Sequence, residues 1–157
     1  MKTLRVDLGE RSYPIYIGPG ILHDLPHYLA ESGVSSAHTL YIVTDEHVDG
    51  HYGDDVQRRL QQAGYQVGKT VVPPGEQSKS LTVLEELVAD VLKFGLDRNS
   101  VVLALGGGMV GDLAGFFAAS YMRGIRFVQI PTTLLAHDSS VGGNVAVNHS
   151  LAKNVIG

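Results

Sequence analysis

Between Val101 and Leu105 the chain reads VVLAL, and Gly106, Gly107 and Gly108 follow without a break. A short, wholly apolar run of this kind fits a parallel strand covered on both faces. A helical pattern continues from Met109 to Ser120. After Arg123-Gly124 a second apolar run, Phe127 to Ile130, stops at Pro131-Thr132-Thr133. Strand, glycine turn, helix and strand make one βαβ unit with the glycines at the carboxyl end of its first strand. That is the edge where open α/β sheets bind ligands.

The physics of such a loop favours a phosphate. Glycines let the backbone approach a ligand closely, and a helix start offers unpaired N–H groups at the positive end of its dipole. Gly106, Gly108 and Gly111 also satisfy G-x-G-x-x-G, the dinucleotide fingerprint. Three adjacent glycines satisfy many templates, and a tight strand-to-helix turn with no ligand fits them as well. The acidic residue expected about 20 positions further on is missing, since Pro131-Thr132-Thr133 stands there. This is therefore not the first unit of an ordinary Rossmann fold.

Upstream, Leu4 to Leu8 and Tyr13 to Ile17 alternate apolar and polar residues around Gly9-Glu10-Arg11-Ser12, which predicts a half-exposed hairpin ahead of the main sheet. A helix is expected over Ile21 to Leu29, with Pro26 inside it bearing on its length. Strands are expected over Thr39 to Val43 and Tyr65 to Val72, and helices over Val48 to Ala63 and Leu81 to Phe94. Pro73 to Lys79 is a turn too rich in Pro and Gly for regular structure. The fold class that follows is α/β: Rossmann-like, with a largely parallel sheet covered by helices on both faces and an N-terminal β-hairpin. No repeat, low-complexity stretch or linker divides residues 1–157, which read as a single domain.

The 157 residues are 44% hydrophobic and 18% charged, enough to build one globular core. Twelve basic and sixteen acidic side chains leave a formal net charge of -4. With no basic run or basic–aromatic stripe, nothing points to nucleic acid. The absence of cysteine excludes disulfides and thiolate metal sites and is compatible with the cytosol. The N-terminal segment lacks the apolar core of a signal peptide, and no apolar run nears the roughly 20 residues that cross a bilayer. The expectation is a soluble, cytoplasmic chain without membrane partners.

Several strand ends carry side chains that suit a dinucleotide. Asp45 fits a ribose hydroxyl or a helix N-cap or first-turn acid, the commoner use of a single Asp at such a position. Glu76 and Lys79 suit a second ribose and a phosphate, or a solvated loop. Thr132 and Thr133 offer hydroxyls and N–H groups to a nicotinamide-ribose half, or ordinary helix-entry chemistry. Asp112 would repel a bare phosphate, and suits a helix cap, a sugar or an amide. The closing segment, with Gly142-Gly143-Asn144 and His149 to Asn154, reads as polar, flexible and unlike core. Within it Asp138, Lys153 and Asn154 suit a small polyhydroxylated anion, Lys153 as a point charge. His137 and His149 lack a firm ligand spacing, so no metal is assigned to this chain.

Taken together, LGERSYPIYIG, PPGEQSKSL, LALGGGMVGDLAGFFAASYMRGIRFVQIPTTLLAHDSSVGG and AVNHSLAKNVIG resemble the 3-dehydroquinate synthase family along essentially the whole chain. The matching segments belong to that family's N-terminal, nucleotide-binding half. A helical C-terminal domain, which in the family carries a glutamate and two histidines as metal ligands, has no counterpart here, so the chain looks like an amino-terminal fragment. The resemblance implies an NAD-dependent, zinc- or cobalt-requiring phosphate lyase of the shikimate pathway. Its substrate would be a sugar phosphate, 3-deoxy-D-arabino-heptulosonate 7-phosphate. Transient oxidation, phosphate elimination, reduction and an intramolecular aldol closure would give 3-dehydroquinate.

By motif, Asp45, Glu76 and Lys79 would contact the adenosine side of NAD, and Gly107, Gly108, Met109, Val110, Gly111 and Asp112 the pyrophosphate region. Thr132 and Thr133 would lie near the nicotinamide half. Asp138, Lys153 and Asn154 would face substrate or nicotinamide, and Arg123 would bind substrate phosphate across a homodimer interface. Where the family reads GGK, this chain has Gly142-Gly143-Asn144, which removes an expected substrate-binding cation. Such a loss costs about 2–5 kcal/mol where a lysine pairs directly with an anion. Ser150 replaces a common proline and Ala152 a common glycine.

A second hypothesis is a catalytically silent nucleotide-binding or dimerisation module. Related inosose- and valiolone-type cyclases share the glycine loop and the PTT turn, whereas DSSVGG and AVNH look more like dehydroquinate synthase. Glycerol dehydrogenases share the fold without the RGIRFVQIPTTLL run.

Overall fold

The structure, a computed structural model, describes residues 2–132 and 145–157. It opens with an antiparallel hairpin, β1 (Lys2–Val6) and β2 (Tyr13–Ile17). A parallel four-stranded sheet follows, made of β3 (Leu40–Asp45), β4 (Val67–Val72), β5 (Val101–Gly106) and β6 (Arg126–Pro131). Its spatial order is β4-β3-β5-β6. The chain thus leaves β3 for one side, forms β4, then crosses back to place β5 on the other side. This reversal opens a crevice between the carboxyl ends of β3 and β5.

Alternation along the strands divides the core into two layers. Leu40, Ile42, Val101, Leu103 and Leu105 face α1 (Leu25–Glu31) and α3 (Asp54–Gln62), where Leu29, Val56 and Leu60 complete the packing. Tyr41, Val43, Val102 and Ala104 face the opposite way, onto α4 (Leu81–Phe94) and α5 (Gly108–Ser120). There Leu87, Val91, Ala114 and Phe117 are all sealed from water. Every residue of β5 is buried, as its unbroken apolar run requires.

The helix ends follow from their caps. Ser80 accepts the Val83 N–H at the start of α4, and Gly95, at φ 92°, ends it in the left-handed conformation that an L side chain resists. Between β3 and α3 a short turn, α2 (Glu46–Val48), runs through a π-helical segment, Asp49–Gly53. The first helix differs from the expected Ile21 to Leu29. Residues 20–24 form turns and α1 begins at Leu25. Pro26 has no N–H to give and is accommodated in the first turn, so it starts the helix instead of shortening it. Likewise β4 begins at Val67, because the Tyr65 N–H closes α3 onto the Leu60 carbonyl and the Tyr65 hydroxyl donates to Val34 O.

The largest departure is the closing segment. Instead of a polar, irregular stretch, β7 (Val147–His149) and β8 (Ala152–Ile156) form an antiparallel hairpin. Val147 is fully buried against Val72 and Leu113, with Ile156 packed alongside. One buried valine is enough to seat so short a strand, and a pattern with a single apolar anchor gives no period to read.

The hairpin reaches the body of the protein over Gly115. A β-carbon at that position would collide with the Val145 side chain and come within 3.2 Å of the Phe127 ring. In an isolated helix Gly→Ala is favourable by about 1 kcal/mol. Here overpacking outweighs propensity, and Gly115→Ala is expected to lower stability by about 1–3 kcal/mol. A urea midpoint equal to or above that of the unaltered chain would show that Val145 does not lean on this helix.

Candidate functional site

All four parallel strands end at one edge, and the residues singled out from the sequence gather there by construction. Asp45 ends β3, Gly106 ends β5 with Gly107 and Gly108 directly after it, Thr132 follows β6, and Glu76 to Lys79 lie in the turn after β4.

The glycine turn is the centre. The N-cap of α5 is Gly107, which has no side chain to satisfy the first-turn N–H groups. In α4 and α2 the equivalent groups are capped by Ser80 and Asp45. Among the described residues, a β-carbon built on Gly108 meets nothing within 4 Å. Gly106 serves a different end, because a β-carbon there would meet the Val110 side chain at 2.8 Å. It lets the helix press close against the strand. The Thr132 N–H donates to Gly106 O at 3.0 Å, tying the end of β6 to the glycine turn. Among the described residues, the buried Thr132 Oγ1 has no hydrogen-bond partner. An orphaned hydroxyl and an uncapped helix start at one edge fit a polar ligand carrying an anion.

Asp45 does act as the N-cap its position allowed, accepting the Val48 N–H through Oδ1 at 2.8 Å. A carboxylate has a second oxygen for a hydroxyl. The loop after β4 is held by its own contacts: the buried Ser78 hydroxyl donates to Pro73 O and the Gln77 amide to Pro74 O. Glu76 stays exposed.

Lys79 is only 4% exposed and its Nζ donates to Asp112 Oδ2 at 2.5 Å. Neither residue is therefore a free charge. Asp112 neutralises Lys79, which brings the turn after β4 against the amino-terminal part of α5, just past its first turn. The pairing leaves no unpaired acid close to the uncapped start of α5.

Other sequence-predicted residues divide into three groups. Lys153 and Asn154, both exposed, are carried by β8, and the hairpin brings them to the loop after β4 through Asn148. Asn148 belongs to the AVNH segment, where the sequence alone points to no role for it. A hairpin had to be foreseen before its position could be read. Arg123 lies at the other end of α5, a 13-residue helix, about 20 Å of helix axis from the glycine turn. It is not brought together with the rest. Met122 and Arg123 adopt φ of 49° and 68°, conformations uncommon for side chains of their size. Thr133, His137, Asp138 and Asn144 lie outside the described residues.

Two open cavities lie elsewhere. One of about 560 Å³ rests on the outer edge of β4, beside Tyr41, Lys69 and Asp90. Burial raises the Tyr41 phenol above its ordinary pKa, although a hydrogen bond with Thr70 works against the shift. The other, about 240 Å³, lies between α4 and α5, lined by Leu84, Val88, Phe117 and Met122. Among the described residues no three His, Asp or Glu side chains assemble as a metal would need, and no helix is long and apolar enough to cross a membrane.

The fold is that of the sugar-phosphate cyclases. It superposes on 2-deoxy-scyllo-inosose synthase, solved with carbaglucose-6-phosphate, NAD+ and Co2+, with a TM-score of 0.88 and 26% identity, covering 99% of this chain and 42% of that one. A 2-epi-5-epi-valiolone synthase from Streptomyces hygroscopicus, solved with NAD+ and Zn2+, gives 0.78 and 30%, covering 97% of this chain and 41% of its own. Glycerol dehydrogenase from Schizosaccharomyces pombe, at 20% identity and a TM-score of 0.55 over 69% of this chain and 25% of its own, shares the fold alone.

In sequence, the family model described as 3-dehydroquinate synthase N-terminal matches residues 69–157. The 3-dehydroquinate synthase of Bacillus pumilus is 54% identical over 157 residues, all of this chain and 43% of that protein. The one from Desulforamulus reducens is 52% identical over 158 residues, all of this chain and 44% of that protein. The chain belongs to the 3-dehydroquinate synthase family, and spans less than half the length of these relatives.

The Lys79–Asp112 contact generates a test. Lys79→Met leaves a mostly buried carboxylate unpaired and is expected to cost about 3 kcal/mol. Lys79→Met combined with Asp112→Leu is expected to recover at least half of that in urea denaturation. A double-variant loss equal to the sum of the losses of Lys79→Met and Asp112→Leu measured separately would mean that the two charges are not coupled.

Proposed function

We propose that this chain is the NAD-binding half of a cytoplasmic 3-dehydroquinate synthase. The complete enzyme would convert 3-deoxy-D-arabino-heptulosonate 7-phosphate to 3-dehydroquinate and phosphate. The observation that carries this reading is the start of α5 at the sheet's switch point, where the N-cap is Gly107 and no described residue lies within 4 Å of a β-carbon at Gly108. Supporting it are the family membership and the cofactors named with the two cyclase structures.

NAD, when bound, supplies a hydride acceptor for a ring hydroxyl and later returns the hydride. The chain's own residues bind and orient. The first-turn N–H groups of Gly108 to Val110 meet the pyrophosphate, and Asp45 and Glu76 accept from ribose hydroxyls. The Thr132 hydroxyl, together with Thr133, takes the nicotinamide-ribose half. Lys153 supplies a point charge for an anionic substrate, and Asn154 and Asp138 are assigned to the same substrate. The zinc or cobalt ligands belong to the family's C-terminal domain, so the chain by itself binds nucleotide and does not turn over substrate. Turnover by these 157 residues alone would sink that division of labour.

A calorimetric titration with NAD tests the central point. Saturable binding is expected, abolished by Gly108→Val, which adds a branched side chain at the helix start. The melting temperature should rise with nucleotide concentration, by the equivalent of about 2.7 kcal/mol at 100 times the dissociation constant. Absence of binding by a folded chain would remove nucleotide binding as a property of this half.

Arg123, remote from the glycine turn of its own chain, is assigned to the substrate phosphate of a partner subunit in a homodimer. Exposed Leu81, Leu92 and Met122 line the same side of the molecule as the apolar cavity between α4 and α5, and such surface favours association. Sedimentation at high concentration is expected to give a dimer. A monomer throughout would count against the shared site.

A further inference from the structure

The hairpin at the end of the chain is irregular in one place. Val147 pairs with Ile156 and His149 with Ala152, so β7 has one residue between these pairs, Asn148, where β8 has Lys153, Asn154 and Val155. The surplus residues make a bulge, a device that re-aims side chains beside active sites. Asn154 within it takes the left-handed conformation, φ 56°, which asparagine tolerates better than most residues. Its N–H therefore turns away from the ladder and donates to Asn148 Oδ1 at 2.8 Å.

The other side of the same amide faces the nucleotide loop. Asn148 Nδ2 donates to Glu76 Oε2 at 2.9 Å, and the Asn148 backbone N–H donates to Lys79 O at 2.9 Å. Only one orientation of the amide satisfies both contacts, because a carboxylate solely accepts and a backbone N–H solely donates. One side chain thus joins two segments that have different assignments, ribose at Glu76 and substrate at Lys153 and Asn154.

We propose that Asn148 is a positioning residue that ties the nucleotide loop to the β8 bulge, so that fixing Glu76 also fixes the backbone presenting Lys153 and Asn154. Nucleotide binding would then prepare the substrate-facing segment before substrate arrives. This function rests on the reading of Glu76 as a ribose contact; the mechanical link itself does not.

Amide hydrogen exchange of this chain, followed by NMR, separates the two. Asn148→Ala should speed exchange of the Asn154 N–H roughly tenfold, as expected for loss of one ordinary hydrogen bond. Glu76→Ala is the deciding variant, since Glu76 does not touch Asn154. It should speed the same amide about threefold or more. Glu76→Gln, which can still accept from Asn148, should restore it. Unchanged exchange in β5 serves as the control that each variant is folded. An Asn154 rate in Glu76→Ala equal to that of the unaltered chain overturns the proposal, and Asn148 then fills the bulge and nothing more. Adding NAD should slow Asn154 exchange in the unaltered chain and not in Asn148→Ala. If NAD fails to bind at all, the nucleotide reading of Glu76 falls with it, while the Glu76→Ala comparison still decides the link.

Discussion

β5 is sealed on both faces, and the position of its glycine turn follows from that enclosure. Val101, Leu103 and Leu105 lock into one layer and Val102 and Ala104 into the other, so the strand cannot shift register without exposing one set. Its end is fixed from both sides as well. Thr44 Oγ1 on β3 donates to Leu105 O at 2.6 Å, and the Thr132 N–H after β6 donates to Gly106 O. The uncapped start of α5 is therefore held by a frame that has no slack, and a ligand there would meet donors already in place.

Much of this was legible in the sequence because the relevant signals are local. The limits of α4 follow from Ser80 and Gly95, and the glycine turn from its unbroken apolar run. Pro26 was legible too, but as a residue bearing on helix length where it acts as a start signal. The site was readable as a set of strand ends, since parallel strands in a βαβ succession must place those ends on one edge. What could not be read is what pairs with what across that edge. Lys79 and Asp112 lie 33 residues apart, and each alone suggested a ligand contact. Together they use up much of each other's charge. Asn148 was hidden for a related reason: a three-residue strand held by one buried valine has no periodicity, so the hairpin that gives Asn148 its two neighbours left no pattern.

The charge pairing also bears on selectivity. An unpaired acid just past the first turn of a helix would weaken any anion binding at its start, and a free lysine in the loop would attract any anion. Joined, they leave the backbone N–H groups as the principal donors at the glycine turn. On the proposed reading, recognition there would depend on shape and close approach more than on net charge, which suits an extended nucleotide better than a lone phosphate ion.

The Glu76–Asn148 bond spans 72 residues, and a growing chain emerges amino end first. At about 5–20 residues per second, the loop after β4 leaves the ribosome roughly 4 to 14 s before its partner exists. Throughout that interval β3 and β4 are available to form while Glu76 has no hairpin to hold it. The edge of the sheet therefore matures in order of synthesis, with the loop after β4 completed last, by residues that follow every strand of the parallel sheet.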